Sequence, residues 1–371
     1  MKDEESIIGS MFKLADVEFD GSRPWDIKVH DRRLYKRVLA EGVLGFGESY
    51  MDGWWDCDRL DELMIRLLNA DLEHRISPLS LLVPVVKAKI FNLQRKAKAA
   101  QDVGSHYDQG NVLFQNMLDA RLTYSCGYWK DADNLDEAQE AKLDLVCRKI
   151  GLKPGQSLLD IGCGWGSLLK FAAERYQVRS VGVTLSSEQV KLGRELCQNL
   201  PVEIRLQDYR ELDEKFDHVV SIGMIEHVGA KNYKTFMNVA NRCLDDDGLF
   251  LLHTVGASVR KNATNPWTNK YIFPGGMLPT AERIATASEG VFVMEDWHSF
   301  GVDYSKTLTA WYDNFNDNWG NEISRFYDPR FYRMWKYFLL TASGAFRARR
   351  NQLWQIVFSK KGLSNGYLSV R

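Results

Sequence analysis

The chain has 371 residues, with 48 Lys and Arg against 49 Asp and Glu, a formal net charge of −1. That length predicts two or three domains, and the charge balance excludes a globally basic nucleic-acid binder. Charged residues at 26% and hydrophobic residues at 45% exclude wholesale disorder. Aromatic residues reach 12% and are unevenly spread: 18 of the 67 residues from Phe292 to Phe358 are Phe, Tyr or Trp. The acidic first residues lack the apolar core of a signal peptide. The apolar stretch 79–86 contains Ser80 and Pro84 and falls far short of the ~20 residues that span a bilayer. Cys57, Cys126, Cys147, Cys163, Cys197 and Cys243 include no Cys-x-x-Cys pair, which argues against structural zinc, any other bound metal and a disulfide framework. A cytoplasmic protein is the expectation.

Residues 1–90 read as short helical pieces around turns. The first is 33–39, followed by a glycine-bearing stretch from Gly42 to Gly47. The next is 60–68, with Leu60, Leu63, Met64, Leu67 and Leu68 on one face. Tyr50, Trp54 and Trp55 flank a turn at Gly53. Residues 85–98 carry Lys87, Lys89, Arg95, Lys96 and Lys98 among apolar residues, with no acidic one. Such a segment suits an anionic membrane surface, at ~1 kcal/mol per basic residue, or a solvated interdomain helix. From residue 155 onward, strands (157–161, 178–183, 202–206, 216–221, 248–253) alternate with helices (167–176, 188–197, 233–243). This succession predicts an α/β fold, a parallel sheet with helices on both faces. Ligands on such sheets bind at the carboxyl ends of the strands, where strand order reverses.

The motifs fall at those ends. Asp160, Gly162, Gly164 and Gly166 join the first strand to the first helix as Asp-x-Gly-x-Gly-x-Gly. Gly162 and Gly164 permit backbone angles other residues resist and allow a ligand close to the main chain. The second strand ends at Thr184 without the acid that commonly holds a ribose. That combination resembles the class I S-adenosylmethionine-dependent methyltransferases more than the dinucleotide-binding enzymes. Thr184 and Gln189 are neutral groups able to hydrogen-bond a ribose or a carboxylate, while Ser186 or Ser187 can cap the following helix. Asp208 offers an acceptor for an adenine amino group, or marks a surface turn. Glu226 follows the fourth strand and His253 ends the fifth, on one rim. Upstream, Tyr124-Ser125-Cys126 reads as an aromatic loop, with no visible base to make Cys126 a nucleophile.

Taken together, Tyr124-Ser-Cys126, Leu159-Asp-Ile-Gly-Cys-Gly-Trp-Gly166, Gly182-Val-Thr-Leu-Ser186, Gln207-Asp-Tyr-Arg210, Ile225-Glu-His-Val-Gly229 and Ala310-Trp-Tyr312 resemble the cyclopropane synthases of fatty-acyl phospholipids and mycolic acids. The likeness extends through Gly45-Phe-Gly-Glu-Ser-Tyr-Met-Asp-Gly-Trp-Trp55 and so covers nearly the whole chain. It implies a class I methyltransferase fold, a Rossmann-like and mostly parallel sheet, with a small, mainly helical N-terminal domain. It also implies that S-adenosylmethionine delivers a methyl group across a cis double bond of a phospholipid acyl chain. A carbocation then loses a proton to bound bicarbonate, and the ring closes. Aromatic faces would stabilise that cation by ~0.5–2 kcal/mol each.

By the same resemblance, Cys126, Glu226, His253 and Tyr312, with a backbone contact near Val255, would cage the bicarbonate. An ionised Glu226 would repel that anion, so it is expected protonated or bonded to the anion's hydroxyl. Tyr124, Ser125, Gly162, Gly164, Thr184, Gln189 and Asp208 would hold the cofactor. The implied domains are 1–90 for lipid engagement or dimerisation, 91–105 as a basic linker, and 106–371 for catalysis, with an aromatic-rich acyl-channel insertion at about 260–350. The implied partners are a phospholipid membrane surface, met peripherally at its inner face, and a second copy of the chain, with no nucleic acid. Some relatives carry a cysteine just before Gly344; this chain has Thr341-Ala-Ser343 there. An alternative reading, an N- or O-methyltransferase of a lipid headgroup or small molecule, needs no alkene channel. Leu308, Trp311, Tyr312, Phe315 and Trp319, like Tyr327, Phe331, Trp335 and Phe338, recur at helical spacing. They are expected as packed helix faces, some of them walls of the channel.

Overall fold

Alternation of apolar residues along the strands builds the sheet that carries the motifs. The computed structural model describes residues 4–70, 110–259 and 265–371. The basic segment 85–98 and the linker 91–105 lie outside the described residues. Those described form two compact units: 4–70 with 265–274 and 304–351, and 110–259 with 275–303 and 352–371.

In the first unit, β1 (Lys28–Val29) pairs antiparallel with β2 (Trp55–Asp56) beside the helices Arg33–Met51, Leu60–Asn69 and Pro329–Arg347. The Arg33–Met51 helix runs through the stretch expected as a turn, and Gly42 absorbs the break at φ 59, ψ −132, a conformation open to glycine. Of the aromatic-rich segment, residues 265–274 and 304–351 fall in this unit with the N-terminal helices, and 275–303 in the second. Its Pro329–Arg347 helix lies against Leu60–Asn69 so closely that a Cβ on Gly344 would stand 2.5 Å from the Asp61 carbonyl oxygen. Tyr337 is the centre of an aromatic core, with ring centroids 4.7 Å from Trp267, 5.4 Å from Tyr50 and 6.4 Å from Trp55. The glycines of the Gly45-x-Gly47 stretch serve this packing, since Trp267 covers Gly47 where a Cβ would meet its ring at 2.4 Å. Glu48 beside it is buried and held by Arg37, Lys270 and Tyr271.

In the second unit, seven strands form one sheet: β3 (Ser157–Ile161), β4 (Arg179–Thr184), β5 (Val202–Leu206), β6 (Phe216–Ile222), β7 (Leu244–Ala257), β8 (Val293–Ser299) and β9 (Asn351–Ser359). Their order is β5-β4-β3-β6-β7-β9-β8, with β5 through β7 parallel and β8 antiparallel to β9. The first five strands match those expected. Two further strands, β8 and β9, add at the edge, outside the stretches read as strands. Period-two alternation divides the sheet residues between two cores: Leu159, Ile161, Phe250 and Leu252 face one, Leu158, Leu249 and Leu251 the other. Strand order reverses between β3 and β6, which opens a crevice at their carboxyl ends. Among the described residues no helix is long and apolar enough to cross a membrane.

The Leu135–Lys149 helix, which supports that crevice, starts at Asn134, whose side chain accepts from the Glu137 N–H at 3.0 Å. Asn134→Ala is expected to cost ~1 kcal/mol of folding free energy, measurable as a lower midpoint in urea denaturation with an unchanged slope.

Candidate active site

The glycine turn after β3 shapes the cleft. Gly162, Gly164 and Gly166 all take positive φ, at 90°, 56° and 85°. A Cβ on Gly162 would lie 2.6 Å from the Met224 side chain. Gly166 starts the Ser167–Tyr176 helix, whose N-terminal N–H groups lie at the sheet's carboxyl edge. Tyr124, Ser125, Gly162, Gly164, Thr184 and Gln189, expected as cofactor residues, all line this cleft. Thr184 Oγ1 and Gln189 Oε1 are 2.6 Å apart, and Ser186 caps the helix by accepting from the Gln189 N–H, so cap and cleft wall coexist. Asp208 is placed otherwise. Its carboxylate accepts from the Arg210 guanidinium and backbone N–H, and its neighbours Gln207 and Tyr209 line the cleft.

Three polar residues that the motifs did not single out support the site. Gln139 donates to the carbonyls of Thr123 and Ser125 at 3.2 and 2.7 Å, which pins the Tyr124–Ser125 loop. Lys142, one turn further, is fully buried and donates from Nζ to Ser125 Oγ at 2.8 Å. Burial lowers its ammonium to about 8, against the opposing pull of Asp119, Cys126 and Asp160. Gln355 on β9 sits 3.2 Å from His253 Nδ1. The Gln139–Lys142 pair is visible in the sequence as two polar side chains three apart on the helix stripe that holds Ala138, Leu143 and Val146. Asp160 faces the cleft too, and burial raises its carboxyl to about 7.

At the rim, Glu226 Oε1 accepts from the Val255 N–H at 2.7 Å. Its Oε2 is buried without a hydrogen-bond partner among the described residues, and burial raises the carboxyl to about 7 against the opposing pull of Val255 and Thr254, which leaves a large neutral fraction at physiological pH. His253 is 1% exposed, and burial, reinforced by Lys142, Lys149 and His298, holds it well below its ordinary value, so the ring is neutral. An amide that donates to Nδ1 places the ring proton on Nε2, which is buried without a partner among the described residues. Cys126 is fully buried and its thiol donates to the Gly127 carbonyl at 3.1 Å. Tyr312 belongs to the first unit, on the Val302–Trp319 helix. It is half-buried with Lys336 Nζ 5.6 Å from its ring centroid, and burial raises its phenol.

Residues 94–356 match the protein family described as mycolic acid cyclopropane synthetase. The cyclopropane-fatty-acyl-phospholipid synthase of Escherichia coli K12 is 52% identical over 98% of this chain and 95% of its own length. The sphingolipid C9-methyltransferase of Komagataella phaffii is 31% identical over 93% of this chain and 76% of its own. Among solved structures, mycolic acid cyclopropane synthase CmaA1 complexed with SAH and CTAB superposes with a TM-score of 0.66 at 33% identity, covering 70% of this chain and 98% of that one. The sheet order, the cleft at its reversal and a family match over most of the length agree: the chain belongs to the mycolic acid cyclopropane synthetase family and is an S-adenosylmethionine-dependent methyltransferase of the class I fold.

Proposed function

We propose that the protein adds a one-carbon unit from S-adenosylmethionine across a cis double bond of a phospholipid acyl chain and so forms a cyclopropane ring. The observation that carries this reading is the pair of buried, neutral, unpartnered groups at the rim, Glu226 Oε2 and His253 Nε2. Methyl transfer to a nitrogen or oxygen uses a nucleophile that carries its own lone pair. An alkene is a far weaker nucleophile, and its methylation leaves a cation that water would trap, so a dry site without fixed charges suits it. The identity to the bacterial synthase supports the same substrate class.

The chain's groups fit both small molecules this chemistry needs. For S-adenosylmethionine, the cleft has open main chain at Gly164, where a Cβ would enter free space, and its buried Asp160 Oδ1 lacks a partner among the described residues. For bicarbonate, a protonated Glu226 and the Nε2–H of His253 are neutral donors whose hydrogen bonds are unspent. When bound, S-adenosylmethionine supplies the one-carbon unit and bicarbonate accepts the proton lost at ring closure. Val255 and Gln355 set the acceptor and donor directions of Glu226 and His253, and burial keeps His253 uncharged and Glu226 about half protonated near pH 7. In this reading Cys126 completes the cage, and the enzyme works peripherally at a membrane surface as a homodimer. The basic segment 85–98 would then supply the attraction to anionic lipid.

Incubation with S-adenosylmethionine and vesicles of cis-unsaturated phospholipid is expected to yield acyl chains heavier by one methylene, with upfield cyclopropane proton resonances and loss of the olefinic ones. A methylated headgroup, or a methyl branch with the alkene retained, would sink this reading.

A further inference from the structure

β7 outruns β6: their pairing ends at Ile222 with His253, and β7 continues to Ala257. Alternate N–H groups of a strand point to the same side, so the Val255 and Ala257 amides face the space that β6 has left. One donates to the Glu226 carboxyl at 2.7 Å, the other to the Pro279 carbonyl at 2.9 Å. The strap 275–279 then turns back on Glu226, where the Met277 N–H donates to the Glu226 main-chain carbonyl at 2.8 Å. These bonds close a ring through Val255, Ala257, Pro279, Met277 and Glu226. Glu226 needs it, because it stands on the four-residue helix Ile225–Val228, flanked by Gly223 and Gly229 at positive φ. A single helical turn does not hold itself in water, so tertiary bonds fix this glutamate.

Tyr233 ties this ring from outside. It opens the Tyr233–Cys243 helix, is 2% exposed, and its hydroxyl donates to the Met277 carbonyl at 3.2 Å. A phenylalanine would fill the same core without a polar atom to bury, so the hydroxyl's use is that bond. The charges acting on the phenol are Glu226 and Arg283, whose Nη1 lies 2.9 Å from Met277 Sδ. His227, next in the chain, is held neutral by burial with its pKa at about 4, and β7 adds the neutral His253 and the Thr254 hydroxyl. We propose that Tyr233 is a positioning residue for Glu226: it pins the 275–279 strap, which fixes the Glu226 main chain and keeps water from its carboxyl. This assignment rests on the reading of Glu226 as a neutral donor in the proposed reaction.

Tyr233→Phe in the full chain tests this through the titration of Glu226. Loss of one such bond is expected to lower turnover about three- to tenfold, with S-adenosylhomocysteine affinity changed less than about twofold. Water admitted to the carboxyl should move the pH limb of turnover acidward by about half a unit or more, toward the ordinary carboxyl range. The same displacement is readable without activity, as an acidward shift of the pH window in which Glu226→Gln gains urea stability, measured with and without Tyr233→Phe. An unmoved titration overturns the inference however far turnover falls, since a merely structural loss acts at every pH alike. Should Tyr233→Phe fail to fold, hydrogen exchange of the wild-type chain decides: the Met277 and Ala257 amides should be protected, and free-peptide rates there would overturn the inference. A displaced titration without cyclopropane in the vesicle lipids would overturn the proposed reaction alone. Cyclopropane formation with an unmoved titration would overturn the Tyr233 assignment alone.

Discussion

Glu226→Ala is expected to lower turnover by about 100-fold or more, the scale of removing one preorganised donor at a reacting centre. Affinity for S-adenosylhomocysteine should change little, because the carboxyl belongs to the rim. His253→Ala is expected to behave in the same way. Glu226→Gln is the informative counterpart. Its amide oxygen keeps the Val255 N–H bond and its amide nitrogen keeps a donor at the other position, so more activity should survive than in the alanine variant. The charge state makes this a pH experiment. Burial raises the Glu226 carboxyl to about 7, so at fixed bicarbonate concentration wild-type turnover should fall as pH rises through that value. The glutamine variant should lack this limb. If alanine at either position abolished cofactor binding instead, the role proposed for the rim would be wrong.

The same residue sets a stability difference whose sign follows from proton counting. A buried carboxyl with a raised pKa holds its proton in the folded chain between about pH 4.5 and 7, where the unfolded chain has already released it. Stability therefore falls as pH rises through that window. Glu226→Gln carries no proton to lose. In urea denaturation it should gain on wild type by about 1–3 kcal/mol from pH ~5 to pH ~8. Equal urea midpoints at both pH values would contradict the buried, neutral glutamate.

Gly256→Ala is the substitution expected to damage the second unit most. A Cβ there would lie 2.1 Å from Cζ3 and 2.2 Å from Cη2 of Trp354. The indole has little room to retreat, with Trp297 stacked edge-on at 5.0 Å and Trp354 itself 6% exposed. Overpacking of this kind costs ~1–3 kcal/mol or more. Because Val255 precedes the glycine and donates to Glu226, turnover should fall with stability. The clash is with the benzo half of the indole, so Trp354→Phe removes the clashing atoms. In that background Gly256→Ala should cost at least ~1 kcal/mol less, a coupling that a double-mutant cycle measures directly. Additive losses would mean that the strain lies elsewhere.

Much of the site's frame is legible from residue types alone. The glycine turn, the N-cap at Ser186 and the first five strands follow from local rules, since positive φ, capping and period-two alternation are properties of short windows. Six of the seven residues read as cofactor contacts line one cleft. Asp208 stands between the lining residues Gln207 and Tyr209, with its carboxylate bonded to Arg210 two residues on. Lys142 and Gln139 escaped notice because a polar residue on an apolar stripe looks like noise until the loop it holds is brought to it.

Other features were decided by tertiary structure. The spacing of Tyr327, Phe331, Trp335 and Phe338 identifies an apolar helix face but not what covers it. The N-terminal helices meet another side of that helix, at Tyr337 and Gly344, while Phe338 on the aromatic face meets Phe273. Strands β8 and β9 form at the sheet edge because β7 offers them unpaired backbone, a partner no local window contains. The opening charge balance has the same limit. The sequence by itself determined that the molecule carries almost no net charge, but only the fold determined where charge is withheld from water. Lys142 and Asp160 are buried along one cleft and Glu226 is buried against Val255, and desolvation draws their proton affinities toward neutral pH.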